Sequence, residues 1–184
     1  MKYKKRAPNT VGGGSKTNLN GLSFEGRTNL MESFDNHPKI KVIDLVKDRY
    51  YDVTFDNEII GQYTEKHDFY KYFLEPKGIY WKKINSKKYL PDGVFINALK
   101  GVVYVIEKKF QQGSGSVDEK LQTCDFKKEI YSKLISPTGY ETEYFYLLND
   151  WFERPEYKDV KEYIESVGCK YFIEEIGLED LGID

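Results

Sequence analysis

The segment of residues 91–109 carries two carboxylates and an ammonium group whose spacing suits a metal ion. Two apolar runs on either side of a short break predict a β-hairpin. A turn centred on residues 99–100 places Asp92 opposite Glu107, with Cβ atoms roughly 4.5 to 5.5 Å apart. Lys109 follows two residues later and therefore points to the same face. Because like charges at this distance repel, the pattern predicts a divalent cation between the two acids, beside the lysine.

A purely structural explanation of the same charges is available. Charged residues are common at strand ends, and the triplet at residues 91–93 is first of all a turn signal. However, Glu107 and Lys109 directly follow the nearly continuous apolar run of residues 102–106, which is typical of a strand buried on both faces. Charges beside a buried strand need a compensating partner. We therefore favour a functional site.

The Pro-Asp pair at residues 91–92 and the Glu-Lys-Lys triplet at residues 107–109 resemble the signature of the PD-(D/E)xK nuclease superfamily in order, spacing and predicted strand context. This superfamily includes most type II restriction endonucleases, Holliday-junction resolvases and several repair nucleases. Gln111 and residues 113–120 look like the run that follows the catalytic lysine in several small nucleases of restriction type. The segment that ends in Glu25 is similar to the first helix of the family, which often contributes an additional acid.

This resemblance implies an α/β fold with a restriction-endonuclease-like αβββαβ core, in which helices flank a mixed central sheet. It also implies a metal-dependent endodeoxyribonuclease that hydrolyses phosphodiester bonds. Asp92 and Glu107 would bind Mg²⁺, with Mn²⁺ as a substitute, and Lys109 would orient the attacking water or stabilise the pentacoordinate phosphorus. Magnesium is favoured over zinc because the ligands are oxygens and the sequence has no cysteine or histidine cluster.

Two further residues are candidates for the catalytic site. Glu25 could bind a second ion or a metal-bound water; its alternative role is that of a surface acid near a helix start, where the helix dipole favours it. Gln111 continues the strand face of Glu107 and Lys109 if the strand stays regular that far, and would then touch the metal site or the DNA.

The DNA-binding candidates are four lysines: Lys16, Lys88, Lys108 and Lys120. The net charge of −2 does not exclude a DNA partner, because phosphate contacts need a basic stripe and not a basic protein. Lys108 is expected on the face opposite Lys109, as a structural residue or a phosphate contact. Lys120 would contact phosphate from the first turn of a helix, or simply be an exposed helical lysine.

The chain of 184 residues fits one domain over residues 21–184, preceded by a flexible basic arm over residues 1–20. The arm would become ordered on DNA, or is a disordered terminus. The only cysteines, Cys124 and Cys169, lack metal-type spacing, which predicts no zinc site and a reducing compartment. No apolar run approaches membrane-spanning length, so the expected location is the cytoplasm, with no membrane partner.

Apolar periodicity and turn signals predict the remaining elements. We expect helices over residues 21–34, 65–74, 117–134 and 157–167, and strands over residues 40–46, 50–55, 58–63, 144–148 and 170–173. Which of the first three strands joins the central sheet stays open at this point.

Three functional classes agree with these patterns. The favoured one is a type II restriction endonuclease, a homodimer that cuts double-stranded DNA at a short site. The second is a structure-selective repair or recombination nuclease with the same chemistry. The third is a DNA-binding module that keeps the fold without catalysis, and the complete set of two acids and a lysine counts against it.

Overall fold

Seven strands in the described part of the chain form one sheet, in which neighbours in sequence are neighbours in space. The computed structural model describes residues 23–24, 28, 30–113 and 117–184. The strands are β1 (Ile40–Val46), β2 (Tyr50–Phe55), β3 (Glu58–Thr64), β4 (Gly93–Asn97), β5 (Val102–Lys109), β6 (Glu141–Leu148) and β7 (Lys170–Ile173).

The direction of pairing changes at β5. Strands β1 to β5 pair antiparallel, whereas β5, β6 and β7 are parallel. Parallel neighbours need crossover connections, and helices supply them here. The carboxyl ends of the last three strands therefore lie at one edge of the sheet. The described helices are α1 (Leu30–Asp35), α2 (Lys66–Asp68), which continues as a π-helical segment (Phe69–Leu74), α3 (Val117–Leu121), α4 (Cys124–Ile135) and α5 (Lys158–Ser166).

Apolar layers cover both faces of the sheet. On β5, Val103 and Val105 belong to the layer that contains α4, α5 and the π-helical segment. Tyr104 and Ile106 belong to the opposite layer, which contains α1 and the C-terminal residues. All four side chains are buried, which confirms the prediction that this apolar run is buried on both faces. No described helix has the length and apolarity needed to cross a membrane.

Most of the predicted elements are confirmed. The three early strand predictions are correct, and all three strands join the central sheet as β1 to β3. The helices predicted over residues 65–74 and 157–167 and the strand over residues 170–173 are also present. Within the first predicted helix, residues 23–24 and α1 are helical, and the arm of residues 1–20 lies outside the described residues.

The prediction of one continuous helix over residues 117–134 is wrong. The chain turns at Gln122 and Thr123, which separate α3 from α4. The carbonyl of Lys120 accepts hydrogen bonds from the Thr123 hydroxyl at 2.8 Å and from the Tyr146 hydroxyl at 3.0 Å. A threonine hydroxyl bonded to the preceding turn competes with the helical pattern, so the helix stops and starts again.

The turn between β4 and β5 is tied to the C-terminus by the buried side chain of Asn97. Its Oδ1 accepts a hydrogen bond from the backbone N–H of Lys100 at 2.9 Å. Its Nδ2 donates to the carbonyl oxygens of Leu181, at 2.9 Å, and Gly182, at 3.2 Å. The side chain therefore holds the hairpin turn against the last turn of the chain.

We predict that Asn97→Ala lowers the free energy of unfolding by roughly 1–3 kcal/mol, because it removes three hydrogen bonds to the backbone, of which the one to the Leu181 carbonyl is buried. Urea denaturation followed by circular dichroism measures the change. Leu99→Ala is the control, since Leu99 lies in the same turn but is 69% exposed. Equal stability of the two variants would contradict this role of Asn97.

Candidate active site

The hairpin that carries the two predicted acids has the register that the sequence predicts. In the β4–β5 ladder the outermost pair is Gly93 with Ile106. Continued by one residue, the same register would set Asp92 opposite Glu107. Asp92 precedes the first residue of β4, so it lies where the antiparallel ladder ends. The predicted register of the hairpin is confirmed as far as the pair Gly93–Ile106, and the meeting of the two carboxylates stays a prediction.

Both the backbone and the side chain of Asp92 are hydrogen-bonded to β5. Its N–H donates to the carbonyl of Ile106 at 3.1 Å. Its carboxylate Oδ2 accepts a hydrogen bond from the backbone N–H of Lys108 at 2.9 Å. The carboxylate is therefore held against the strand that carries Glu107 and Lys109, and backbone bonds fix its position.

Glu107 is a nearly buried carboxylate with two ammonium groups on one of its oxygens. Its Oε1 lies 2.7 Å from Nζ of Lys109 and 3.5 Å from Nζ of Lys127. The exposed fractions of these side chains are 12% for Glu107, 17% for Lys109 and 21% for Lys127. Lys109 also donates to the carbonyl of Lys108 at 3.2 Å, which fixes the direction of its ammonium group.

The second oxygen of Glu107 has a different environment. Oε2 is buried and accepts no hydrogen bond from the described residues. A buried polar atom without a partner marks a place for a donor or a cation. A carboxylate oxygen is a hard ligand, and Asp92 provides a second carboxylate across the ladder, so these residues fit Mg²⁺. The described residues contain no group of three or more His, Cys, Asp or Glu side chains that could hold a metal; Mg²⁺ usually keeps several waters as ligands.

Buried tyrosines border the two acids on the α4 side of the sheet. The hydroxyl of Tyr131 is buried and has no hydrogen-bond partner among the described residues. Burial raises the pKa of the Tyr131 phenol, and the nearby Tyr70, Glu107 and Asp92 raise it further. Burial, and then the charge of Glu107, also raises the pKa of Tyr144. Both phenols therefore remain protonated beside the carboxylates at neutral pH.

Lys127 is a site residue that the sequence analysis missed. It lies on α4 three residues after Cys124 and four before Tyr131, two of the buried residues of that helix. Its ammonium group also lies 5.6 Å from the centre of the Tyr89 ring. A lysine within the apolar stripe of a helix is the signal that would have identified it, because such a cation needs a partner in the core.

Gln111 does not continue the strand face of the site, because β5 ends at Lys109. The condition on which Gln111 would share the face of Glu107 and Lys109, a strand that stays regular that far, is not met. The backbone N–H of Gln111 donates to Oδ1 of Asn149 at 2.9 Å, and its Nε2 donates to the carbonyl of Gly113 at 2.7 Å. The bonds with Asn149 connect the loop after β5 to the end of β6. A catalytic role for Gln111 stays a prediction.

The DNA-binding candidates lie at different places. Lys88 is half-buried, and its ammonium group lies 4.5 Å from the centre of the Tyr70 ring, in the layer that contains α4. Lys120 is exposed on α3. Lys108 lines a cavity of about 240 Å³ on the α1 side together with Tyr63, which confirms its predicted position on the opposite face. The other two candidates, Glu25 and Lys16, lie outside the described residues.

The chain matches no family model, no curated protein and no solved structure. A functional assignment therefore depends on the chemistry of the described side chains. That chemistry is a pair of carboxylates at the carboxyl end of β5, an ammonium group on the same strand, and a second ammonium group from α4.

We predict that Tyr131→Phe leaves the free energy of unfolding unchanged or slightly raised, because the lost hydroxyl has no hydrogen-bond partner in the described structure. Tyr146→Phe is the matched variant, since the Tyr146 hydroxyl donates to the Lys120 carbonyl. It should lower the free energy of unfolding by about 1 kcal/mol. Urea denaturation of both variants measures the difference, and a larger loss for Tyr131→Phe would show that its hydroxyl has a stabilising partner.

Proposed function

We propose that this protein is a magnesium-dependent DNA endonuclease, of the type II restriction kind, that hydrolyses phosphodiester bonds at a short site in double-stranded DNA. One observation carries the proposal. Glu107 has a buried carboxylate oxygen that finds no partner in the described part of the chain, while its other oxygen contacts Lys109 and the carboxylate of Asp92 is hydrogen-bonded to β5. These contacts support the proposal of a site for a hard cation beside an ammonium group.

The order of elements supports a restriction-endonuclease-like core. Helix α1 is followed by the antiparallel strands β3, β4 and β5, then by α3 and α4, and then by β6 parallel to β5. This series contains the pattern αβββαβ, with β1, β2 and α2 as additions. Asp92 directly precedes β4, and Glu107 lies near the end of β5, so both acids belong to the hairpin of the proposed core.

Charge balance at a phosphodiester explains the choice of residues. Hydrolysis adds negative charge to the phosphate oxygens and to the leaving oxygen. Mg²⁺ bound by Asp92 and Glu107, or Mn²⁺ in its place, would supply positive charge and lower the pKa of a bound water. The ammonium group of Lys109, held by Glu107 and by the Lys108 carbonyl, is positioned to orient a water or to neutralise a phosphate oxygen.

Lysines around the site provide local positive charge for the DNA backbone. The hydroxyl of Tyr70 donates to the carbonyl of Tyr89, so Lys88, over Tyr70, and Lys127, over Tyr89, belong to one aromatic cluster. Lys120 adds an exposed charge on α3. Cutting both strands of a duplex requires two active sites, which a two-fold symmetric homodimer would supply.

We predict that Lys109→Ala reduces plasmid cleavage in the presence of Mg²⁺ by about 100-fold or more, because it removes a positive charge from the reacting phosphate. DNA binding, measured by fluorescence anisotropy, should survive. Lys158→Ala is the control, because Lys158 is exposed on α5 and pairs with Glu162.

The same assay tests the class of nuclease. Discrete bands from a sequenced plasmid, only in the presence of Mg²⁺, are the expected result for a restriction endonuclease, and smears would indicate a different nuclease. Unchanged cleavage by Lys109→Ala would remove the assignment, and no cleavage by the unaltered protein would favour a binding module.

We further predict that Asp92→Asn weakens Mg²⁺ binding at least about tenfold, since it removes a charged ligand. The amide oxygen of Asn can still accept the hydrogen bond from the Lys108 N–H, so the free energy of unfolding should change little. Calorimetric titration with Mg²⁺ measures the affinity, with urea denaturation in parallel. An affinity equal to that of the unaltered protein would exclude Asp92 as a ligand.

A further inference from the structure

Two ammonium groups share one oxygen of Glu107, and they are held differently. Lys109 lies 2.7 Å from Oε1 and makes a second hydrogen bond, to the Lys108 carbonyl. Lys127 lies 3.5 Å from the same oxygen, and its other neighbour is the face of the Tyr89 ring. The contact of Lys127 is therefore the longer and more easily broken of the two.

Without the opposite charge of Glu107, the nearly buried ammonium group of Lys127 would destabilise the folded protein. The lysine lies on the buried face of α4, and only 21% of its side chain is exposed. A cation at such a place needs an opposite charge. Conversely, the nearly buried Glu107 needs positive charge when the site holds no metal. Lys127 and Lys109 together supply it from two elements distant in sequence.

A divalent cation bound to Oε2 of Glu107 would lie close to the ammonium groups of Lys109 and Lys127. The two oxygens of one carboxylate are close, so a cation on Oε2 and an ammonium group on Oε1 repel each other. Because the surroundings are buried and apolar, water screens this repulsion less than it would at the surface. Lys127 and the cation thus compete for the charge of Glu107.

We propose that Lys127 is a positioning residue that neutralises Glu107 in the metal-free protein and lowers the affinity of the site for divalent cations. This inference rests on the proposed metal site at Asp92 and Glu107. Its consequence is coupling between ligands: the negative phosphate of bound DNA offsets the charge of Lys127, so the cation binds more tightly when DNA is present.

The test is a titration of the full chain with Mn²⁺ in the absence of DNA, with free Mn²⁺ measured by electron paramagnetic resonance. Lys127→Met, which keeps the length of the side chain and removes its charge, should raise the Mn²⁺ affinity about tenfold. Lys127→Arg keeps the charge and should stay near the unaltered protein. Lys133→Met is the matched control, because Lys133 is an exposed lysine of α4 that pairs with Glu129.

The same substitution in a Glu107→Gln protein tests whether the change in Mn²⁺ affinity depends on Glu107. In a Glu107→Gln protein the gain from Lys127→Met should disappear, since the two residues would no longer share a charge. Circular dichroism and urea denaturation verify folding, and Lys127→Gln replaces Lys127→Met if that variant does not fold. The inference is overturned by an unchanged or lower affinity of Lys127→Met, by an equal gain in Lys133→Met, or by no Mn²⁺ binding in any variant.

The outcome is separable from the proposed nuclease function. If Lys127→Met raises the Mn²⁺ affinity but the unaltered protein cuts no DNA, the metal site and the role of Lys127 stand and the nuclease proposal fails. If the unaltered protein cuts DNA and Lys127→Met leaves the affinity unchanged, the role of Lys127 alone is excluded.

Discussion

The buried charge of Glu107 is the constraint on which the arrangement of the site depends. A carboxylate that is only 12% exposed at the end of a strand buried on both faces loses most of its hydration. Compensation must come from the protein, and it comes from Lys109 on the same strand and Lys127 on α4. Both lysines contact Oε1 of Glu107. Its Oε2 has no hydrogen-bond partner among the described side chains and backbone groups, so this oxygen can accept a donor or bind a cation.

The topology explains how these charges meet. Strand β5 is antiparallel to β4 and parallel to β6, so it combines a hairpin with a helical crossover. The hairpin brings Asp92 to β5, where its carboxylate accepts a hydrogen bond from the Lys108 N–H, because a tight turn pairs segments that are close in sequence. The connection between β5 and β6 crosses one face of the sheet and contains α4. Lys127 on α4 therefore reaches the carboxylate of Glu107 from that face. If α4 were displaced along β5, Lys127 would lie farther from Glu107, and the charges of the two side chains would neutralise each other less.

Tyrosines give this charge cluster its surroundings. The chain has 16 tyrosines, and several of them lie between the sheet and α4, among them Tyr70, Tyr131 and Tyr144. Their rings exclude water, which strengthens the interactions among Glu107 and its lysines. Their hydroxyls stay protonated, because burial raises the pKa of each. The aromatic composition thus creates a weakly screened environment in which a few charges have large effects.

The sequence by itself determined the features that depend on neighbours along the chain. These are the register of the β4–β5 hairpin and the strands and helices with clear periodicity. Alternation and turn length specify such features locally. Only the tertiary structure decided the rest: the break before α4, the end of β5 before Gln111, and the pairing of Lys127 with Glu107. Each of these features involves a contact between distant segments, such as Tyr146 with Lys120 or Gln111 with Asn149. The local pattern of residues does not identify such partners.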